Sequence, residues 1–189
     1  MNSGAAKVNI PSRIAVHGAS GSGKSTLAAA IATRLGVAHT ELDGLFHQPD
    51  WTERPIDEFR AEVAEVVDAP GWVVDGNYRQ VRDLVWARAQ VIVVIDLPRW
   101  RVIAQLMRRT LTRGATRVEL WNGNKESLRN LVSIDANRNV VLWSWRTHHQ
   151  YHDEVPGEAR AEASHARVVV LNDRRAIEAF PCRLAAGGL

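Results

Sequence analysis

Residues able to do chemistry gather first in Gly18-Ala19-Ser20-Gly21-Ser22-Gly23-Lys24-Ser25-Thr26. This stretch satisfies the phosphate-loop pattern G-x-x-x-x-G-K-[ST] at every fixed position. Gly18, Gly21 and Gly23 free the backbone to turn successive N–H groups inward, where they form a site for polyanions. Lys24 is expected to reach the β- and γ-phosphates of a bound nucleoside triphosphate. The Ser25 hydroxyl is expected to ligate Mg²⁺, and Thr26 to help hold the phosphates. The competing reading is a glycine-rich turn with an accidental lysine, and the flanks argue against it. Arg13 to His17 reads as a short buried strand, and Leu27 to Ala32 is rich in helix formers. Strand, glycine loop and helix together are the context that confirms the motif.

Acids at strand ends come next. Val37 to Leu42 reads as a strand with Asp43 at its C-terminal end, the sheet edge where ligands bind in open α/β folds. An acid there suits the holding of metal-bound water or the acceptance of a proton from a substrate hydroxyl; the alternative is a loop aspartate capping a turn. Trp72 to Val74 is a second apolar strand ending in an acid, Asp75, and Val91 to Ile95 is a third, ending in Asp96. Either carboxylate could serve Mg²⁺ beside Ser25. Asp75 is preferred, because Asp96 precedes Leu97-Pro98 and suits the cap of the next helix.

Cations complete the set. Arg79 is expected near the start of a helix and close to the transferred phosphate, with a surface ion pair as the alternative. Arg108, Arg109 and Arg113 crowd the end of a helix running from Arg99 to Thr112. Gly114 to Lys125 reads as a mobile loop, and arginines there could clamp a transferring group and exclude water. The bland alternative is a solvated basic helix end. Asn172, after a last strand at Arg167 to Leu171, is expected to lie beside the base of the nucleotide.

Other elements must hold these residues in place. Helices are expected from Lys24 to Leu35 (ended by Gly36), Pro55 to Val67, Tyr78 to Ala89 and Glu126 to Asp153, with Pro156-Gly157 breaking the last. A final helix carries Ile177 and Phe180. Leu45 to Trp51 reads as an aromatic loop. His148, His149 and His152 read as a wet helix face rather than a metal site. The tails 1–10 and 184–189 are expected to fray.

The 189 residues suit a single α/β domain, with 46% apolar and 24% charged residues. No apolar run is long enough to cross a bilayer. One cysteine, Cys182, excludes an internal disulfide, and with no secretory pattern the expected compartment is cytoplasmic. The net charge of +3 is mild. The basic segment Arg99–Arg117 leaves nucleic acid open as a partner, although no reading motif accompanies it.

These residues, in this order, resemble adenylate-kinase-like small kinases. The residues that carry the resemblance are Gly18 to Thr26, Leu42-Asp43, Val73 to Gly76 with Tyr78-Arg79, Asp96-Leu97-Pro98, and Arg109 to Arg113. Leu42 to Phe46, Trp72 to Tyr78 and Pro98-Arg99-Trp100 are most similar to the bacterial branch labelled topology modulation protein or adenylate-kinase-related kinase. The resemblance implies a three-layer P-loop fold with a five-stranded parallel sheet in the order 2-3-1-4-5. It also implies ATP as donor and phosphoryl transfer as the reaction; with Mg²⁺ as the expected ion, a small metabolite such as a nucleoside or nucleotide is the expected acceptor, and 113–125 is the expected mobile lid, although the family's usual lid sequence after Arg113 is missing. It supports Asp75 over Asp96. It places Arg109 near the base or α-phosphate and Arg113 on the transferring phosphates. Asp75-Gly76-Asn77-Tyr78-Arg79 and Leu42 to Leu45 depart from adenylate kinases and point away from AMP as the acceptor. A regulatory nucleotide switch acting on a partner or nucleic acid is the alternative function.

Overall fold

The computed structural model describes residues 10–116, 121–124 and 140–188. Its frame is a parallel sheet in the order β2-β3-β1-β4-β5. The strands are β1 (Arg13–Gly18), β2 (Ala38–Glu41), β3 (Trp72–Asp75), β4 (Val91–Ile95) and β5 (Arg167–Leu171). The central strands β1, β3 and β4 are buried almost throughout, while the edge strands β2 and β5 are partly exposed. That contrast explains the continuous Val/Ile runs in the middle of the sheet and the mixed sequence Ala-His-Thr-Glu at one edge.

Helices α1 (Lys24–Leu35), α3 (Ile56–Asp68), α4 (Arg79–Arg88), α5 (Arg99–Thr116), α7 (Val155–Glu162) and α8 (Arg174–Ala185) flank the sheet. Parallel crossovers are right-handed, so the leftward step from β1 to β2 and the rightward steps beyond β3 place their helices on opposite faces. Accordingly α1 packs on α8, α3 packs on α4, and α7 lies against β4 and β5. Trp72, Trp86, Phe59, Phe180 and Ile92 are among the fully buried side chains. Each contributes about 1.5–3 kcal/mol by leaving water.

Four expectations change. The second strand stops at Glu41, and a short helix α2 (Leu42–Phe46) begins there, so Asp43 sits in its first turn rather than on the strand. Pro156 does not end a helix. Helix α6 (Val140–His149) runs through a π-helical stretch, Gln150–Glu154, directly into α7. Pro156 falls in the first turn of α7, where its missing N–H costs least. The tail beginning at Leu184 is not frayed at its start, since Leu184 is fully buried and α8 continues to Ala185. Gly114 lies within α5, not in a loop. Of the expected lid, Arg117 to Leu120 and Lys125 lie outside the described residues, as do Met1 to Asn9.

Candidate active site

Register brings the phosphate loop and the strand-end acids to one edge. Val16 pairs with Asp75, and Asp75 pairs with Glu41; on the other side Gly18 pairs with Ile95 and Ile95 with Leu171. The loop from Gly18 to Gly23 therefore emerges between two neighbouring strand ends.

Within the loop, Gly21 and Gly23 have φ of 88° and 94°, a region that side chains rarely adopt. A Cβ on Gly21 would fall 2.7 Å from Leu106 Cβ, so the crest of the loop packs directly on α5. A Cβ on Gly23 would meet nothing within 4 Å, so the cradle is open at that point. Leu27 N–H makes the first α-helical bond of α1, to Gly23 O, which leaves the N–H groups of Lys24, Ser25 and Thr26 ahead of it without intrahelical partners. No side chain caps this helix and no acid stands in its first turn. Lys24 is buried and has no carboxylate partner among the described residues. Ser22 Oγ is buried and unpartnered among them as well. An uncapped helix start, an unneutralised lysine and an orphan hydroxyl fit a polyphosphate. Thr26 is exposed on the first turn.

The two candidate carboxylates differ in their contacts. Ser25 Oγ donates to Asp75 Oδ1 at 3.0 Å, whereas Asp96 Oδ2 lies 2.6 Å from His152 Nδ1. Asp75 is 2% exposed, and its second oxygen is held 2.8 Å from His39 Nε2. Serine hydroxyl beside carboxylate is a hard-oxygen donor set that fits Mg²⁺. Among the described residues no group of three His, Cys, Asp or Glu side chains forms another metal cluster. His148, read as wet, is instead buried, with Nε2 2.8 Å from Leu97 O.

Two residues the motif reading did not use hold the loop. Asn77 Nδ2 donates to Gly18 O at 2.8 Å and its Oδ1 accepts from Gly18 N at 3.3 Å. His17 is buried, and its Nε2 accepts from Trp86 Nε1 at 2.9 Å. Burial, and then the positive charge of Arg82, lower the His17 pKa from 6.5 to about 4, which keeps the ring neutral as that acceptor role demands. The signal for Asn77 was visible as a departure from the kinase pattern, but its partner, 59 residues away, was not.

Asp43 faces a different environment. Tyr78 Oη donates to Asp43 Oδ1 at 2.8 Å and lies 3.3 Å from His47 Nε2. The rings of Phe46, Phe59 and Tyr78 touch one another, and His47 meets Trp51 edge-on. Over this wall lies the turn Trp121–Gly123. Asn122 Nδ2 donates to His47 O at 2.6 Å and Gly44 O at 3.2 Å, and Asn124 Nδ2 to Gln48 O at 2.9 Å. The described part of the expected lid thus docks on the Asp43 side.

The arginines divide. Arg109 Nη2 lies 3.5 Å from Ser20 Oγ, within the phosphate loop. Arg113 is on α5, and its side chain lies outside the described residues. Arg79 is not aimed at a phosphate here: its side chain is 68% exposed and pairs with Glu158 of α7 at 3.2 Å, the surface ion pair that was its alternative. Arg99 and Arg101 stack over Trp145 and Trp100. Asn172 is exposed just beyond Leu171, two strands from Gly18.

No family model matches the chain and no curated protein matches it. Among solved structures it is similar to a gluconokinase from Sinorhizobium meliloti 1021, 19% identical over 94% of this chain and 91% of that one, with a TM-score of 0.54. It is also similar to a sugar kinase from Janibacter sp. HTCC2649, 16% identical over 93% of this chain and 91% of that one, with a TM-score of 0.46. At such identities the first likeness is one of fold alone: a parallel sheet ordered 2-3-1-4-5 between helices.

Proposed function

We propose that this protein transfers a phosphoryl group from ATP to a small metabolite, with Mg²⁺. The observation that carries this reading is the Ser25–Asp75 contact at 3.0 Å beside an uncapped, unneutralised phosphate loop. Ser25 and Asp75 would hold the Mg²⁺, which when bound offsets phosphate charge. His39 keeps the Asp75 carboxylate turned toward Ser25. The amides from Gly21 to Thr26 and the Lys24 ammonium bind the phosphates and stabilise charge on the group in flight. Arg109 extends that positive field from α5. Asp43, held by Tyr78, takes the proton of the attacking hydroxyl as its oxygen bonds to the γ-phosphorus and the bond from that phosphorus to the bridging oxygen breaks, with ADP as the leaving group. Gly18, Ala19, Ser20 and Ser22 shape the loop, and Asn172 borders the far end of the nucleotide. Arg79, paired with Glu158, takes no part in this mechanism.

Placement in the bacterial branch related to topology modulation protein rests on Leu42–Phe46, Trp72–Tyr78 and Pro98–Trp100. A cytoplasmic setting is part of the proposal; among the described residues no helix is long and apolar enough to cross a membrane. The nucleic-acid reading has less support, since Arg99 and Arg101 are committed to tryptophan rings. Calorimetry with ATP and Mg²⁺ tests the proposal. Wild type should bind and Lys24→Ala should not. Equal binding by both proteins would refute the role of the loop, and tight, salt-sensitive DNA binding without acceptor turnover would favour the switch.

A further inference from the structure

We infer that the phosphoryl acceptor is a neutral, hydroxyl-bearing ring compound, of the nucleoside or sugar kind, seated against Asp43, His47 and Tyr78. The inference rests on the phosphoryl-transfer reading and narrows it to exclude acceptors that carry phosphate or carboxylate.

Tyr78 has one proton and gives it to Asp43 Oδ1 at 2.8 Å. Its oxygen, 3.3 Å from His47 Nε2, must then accept from that nitrogen. In the neutral ring this leaves His47 Nδ1 as a bare acceptor, and that atom is buried with no partner among the described residues. The second Asp43 oxygen is likewise without a described protein partner. Three of the donors nearby are spent: Asn122 Nδ2 on Gly44 O and His47 O, Asn124 Nδ2 on Gln48 O, Arg54 Nε on Leu45 O. The wall therefore offers acceptors and asks for donors. Hydroxyl groups bring donors, whereas a phosphate dianion brings only further lone pairs.

Charge points the same way. Arg54 is paired with Glu62, Arg60 with Asp83, and Arg79 and Arg82 with Glu158. Burial, followed by the negative charges of Asp43 and Glu53, pushes the Tyr78 phenol above its ordinary range, so two carboxylates act on this spot. An anionic acceptor would enter against them, with no described cation on this wall left uncommitted to meet it. The rings of His47, Trp51 and Tyr78 lie beside these polar atoms, with Phe46 buried behind Tyr78, and aromatic surface next to polar groups suits a compound with an apolar ring face and a hydroxylated edge.

The test is ATP consumption with three matched sets at equal concentration: neutral nucleosides and sugars, their monophosphates, and the corresponding sugar acids. Products are identified by ³¹P NMR. A neutral member should stimulate turnover, with its phosphorylated counterpart about 100-fold poorer or worse, since unpaired buried groups reject strongly. Tyr78→Phe and His47→Gln should raise the acceptor KM about tenfold and leave the ATP KM unchanged, a split that a folding defect would not produce. A monophosphate or acid that matches or exceeds the neutral compounds would overturn the inference and leave phosphoryl transfer standing. Basal turnover with every set, in a protein that binds ATP, would overturn both.

Discussion

The phosphate loop and the Asp43 wall lie at the same sheet edge but are built in opposite ways. In the loop, the positive φ values of Gly21 and Gly23 fall on glycines, which adopt them at little cost. In the Asp43 wall and its cover they fall on Asp50, Trp51 and Asn122, with φ of 59°, 58° and 55°. These are the positive-φ residues other than glycine among the described ones. For a side chain as bulky as Trp51 such backbone costs on the order of 1–3 kcal/mol, and it persists because neighbours hold it, here through Trp51 N donating to Asn124 Oδ1 at 2.9 Å. In the proposed function the loop would bind with backbone groups and one lysine, all within one short segment. The wall would bind with side chains from α2, the turn after it and the segment after β3, under the Trp121–Gly123 turn. A site of the first kind tolerates sequence change around it; a site of the second kind depends on each tether.

Mutations can break this contrast. The largest effect is expected for Lys24→Ala, which should cut transfer by about 10³-fold or more and abolish ATP binding. Titration calorimetry paired with a turnover assay measures both losses. Asp43→Asn should lower transfer by roughly 10²–10⁴-fold with ATP affinity intact. Loss of ATP affinity in that variant would merge the two regions and move Asp43 into the metal site.

Acid should act on the loop side through His17. Its folded pKa of about 4 lies below the ordinary 6.5, so the unfolded chain takes up a proton that the folded chain refuses. The contribution is complete above about pH 6.5 and is lost as pH falls toward 4, to a total of ~3 kcal/mol. Melting temperature against pH should show that slope in wild type and lack this part of it in His17→Asn.

Smaller effects sharpen the contrast. His39→Gln should weaken Mg²⁺ about tenfold, measured as the Mg²⁺ dependence of ATP binding, because His39 orients Asp75 without touching phosphate. Asn124→Ala should release Trp51 from its strained backbone and raise the acceptor KM several-fold, with stability changed by about 1 kcal/mol. An altered ATP KM in that variant would show that the two sides are coupled.

Much of the fold was legible because its signals are local. Val91 to Ile95 is apolar throughout, as a strand covered on both faces must be, and Gly36 ends α1 in a left-handed conformation as its position implied. Pro156 misled, because a proline stops a helix only where its missing N–H is needed, and the π-helical turn before it removed that need. Among the cations, Arg79 could not be read, since an arginine at a helix start has the same sequence whether it meets a phosphate or Glu158 of α7.

Spacing alone determined the phosphate-loop motif, its lysine and the strand that ends in Asp75, because each of those patterns lies within a few consecutive residues. Tertiary structure decided that Asp75 rather than Asp96 meets Ser25, that Asn77 pins Gly18, and that Tyr78 and His47 gather at Asp43. Each of those contacts joins segments far apart in the chain. Their partners are chosen by sheet order and register, which no local pattern encodes.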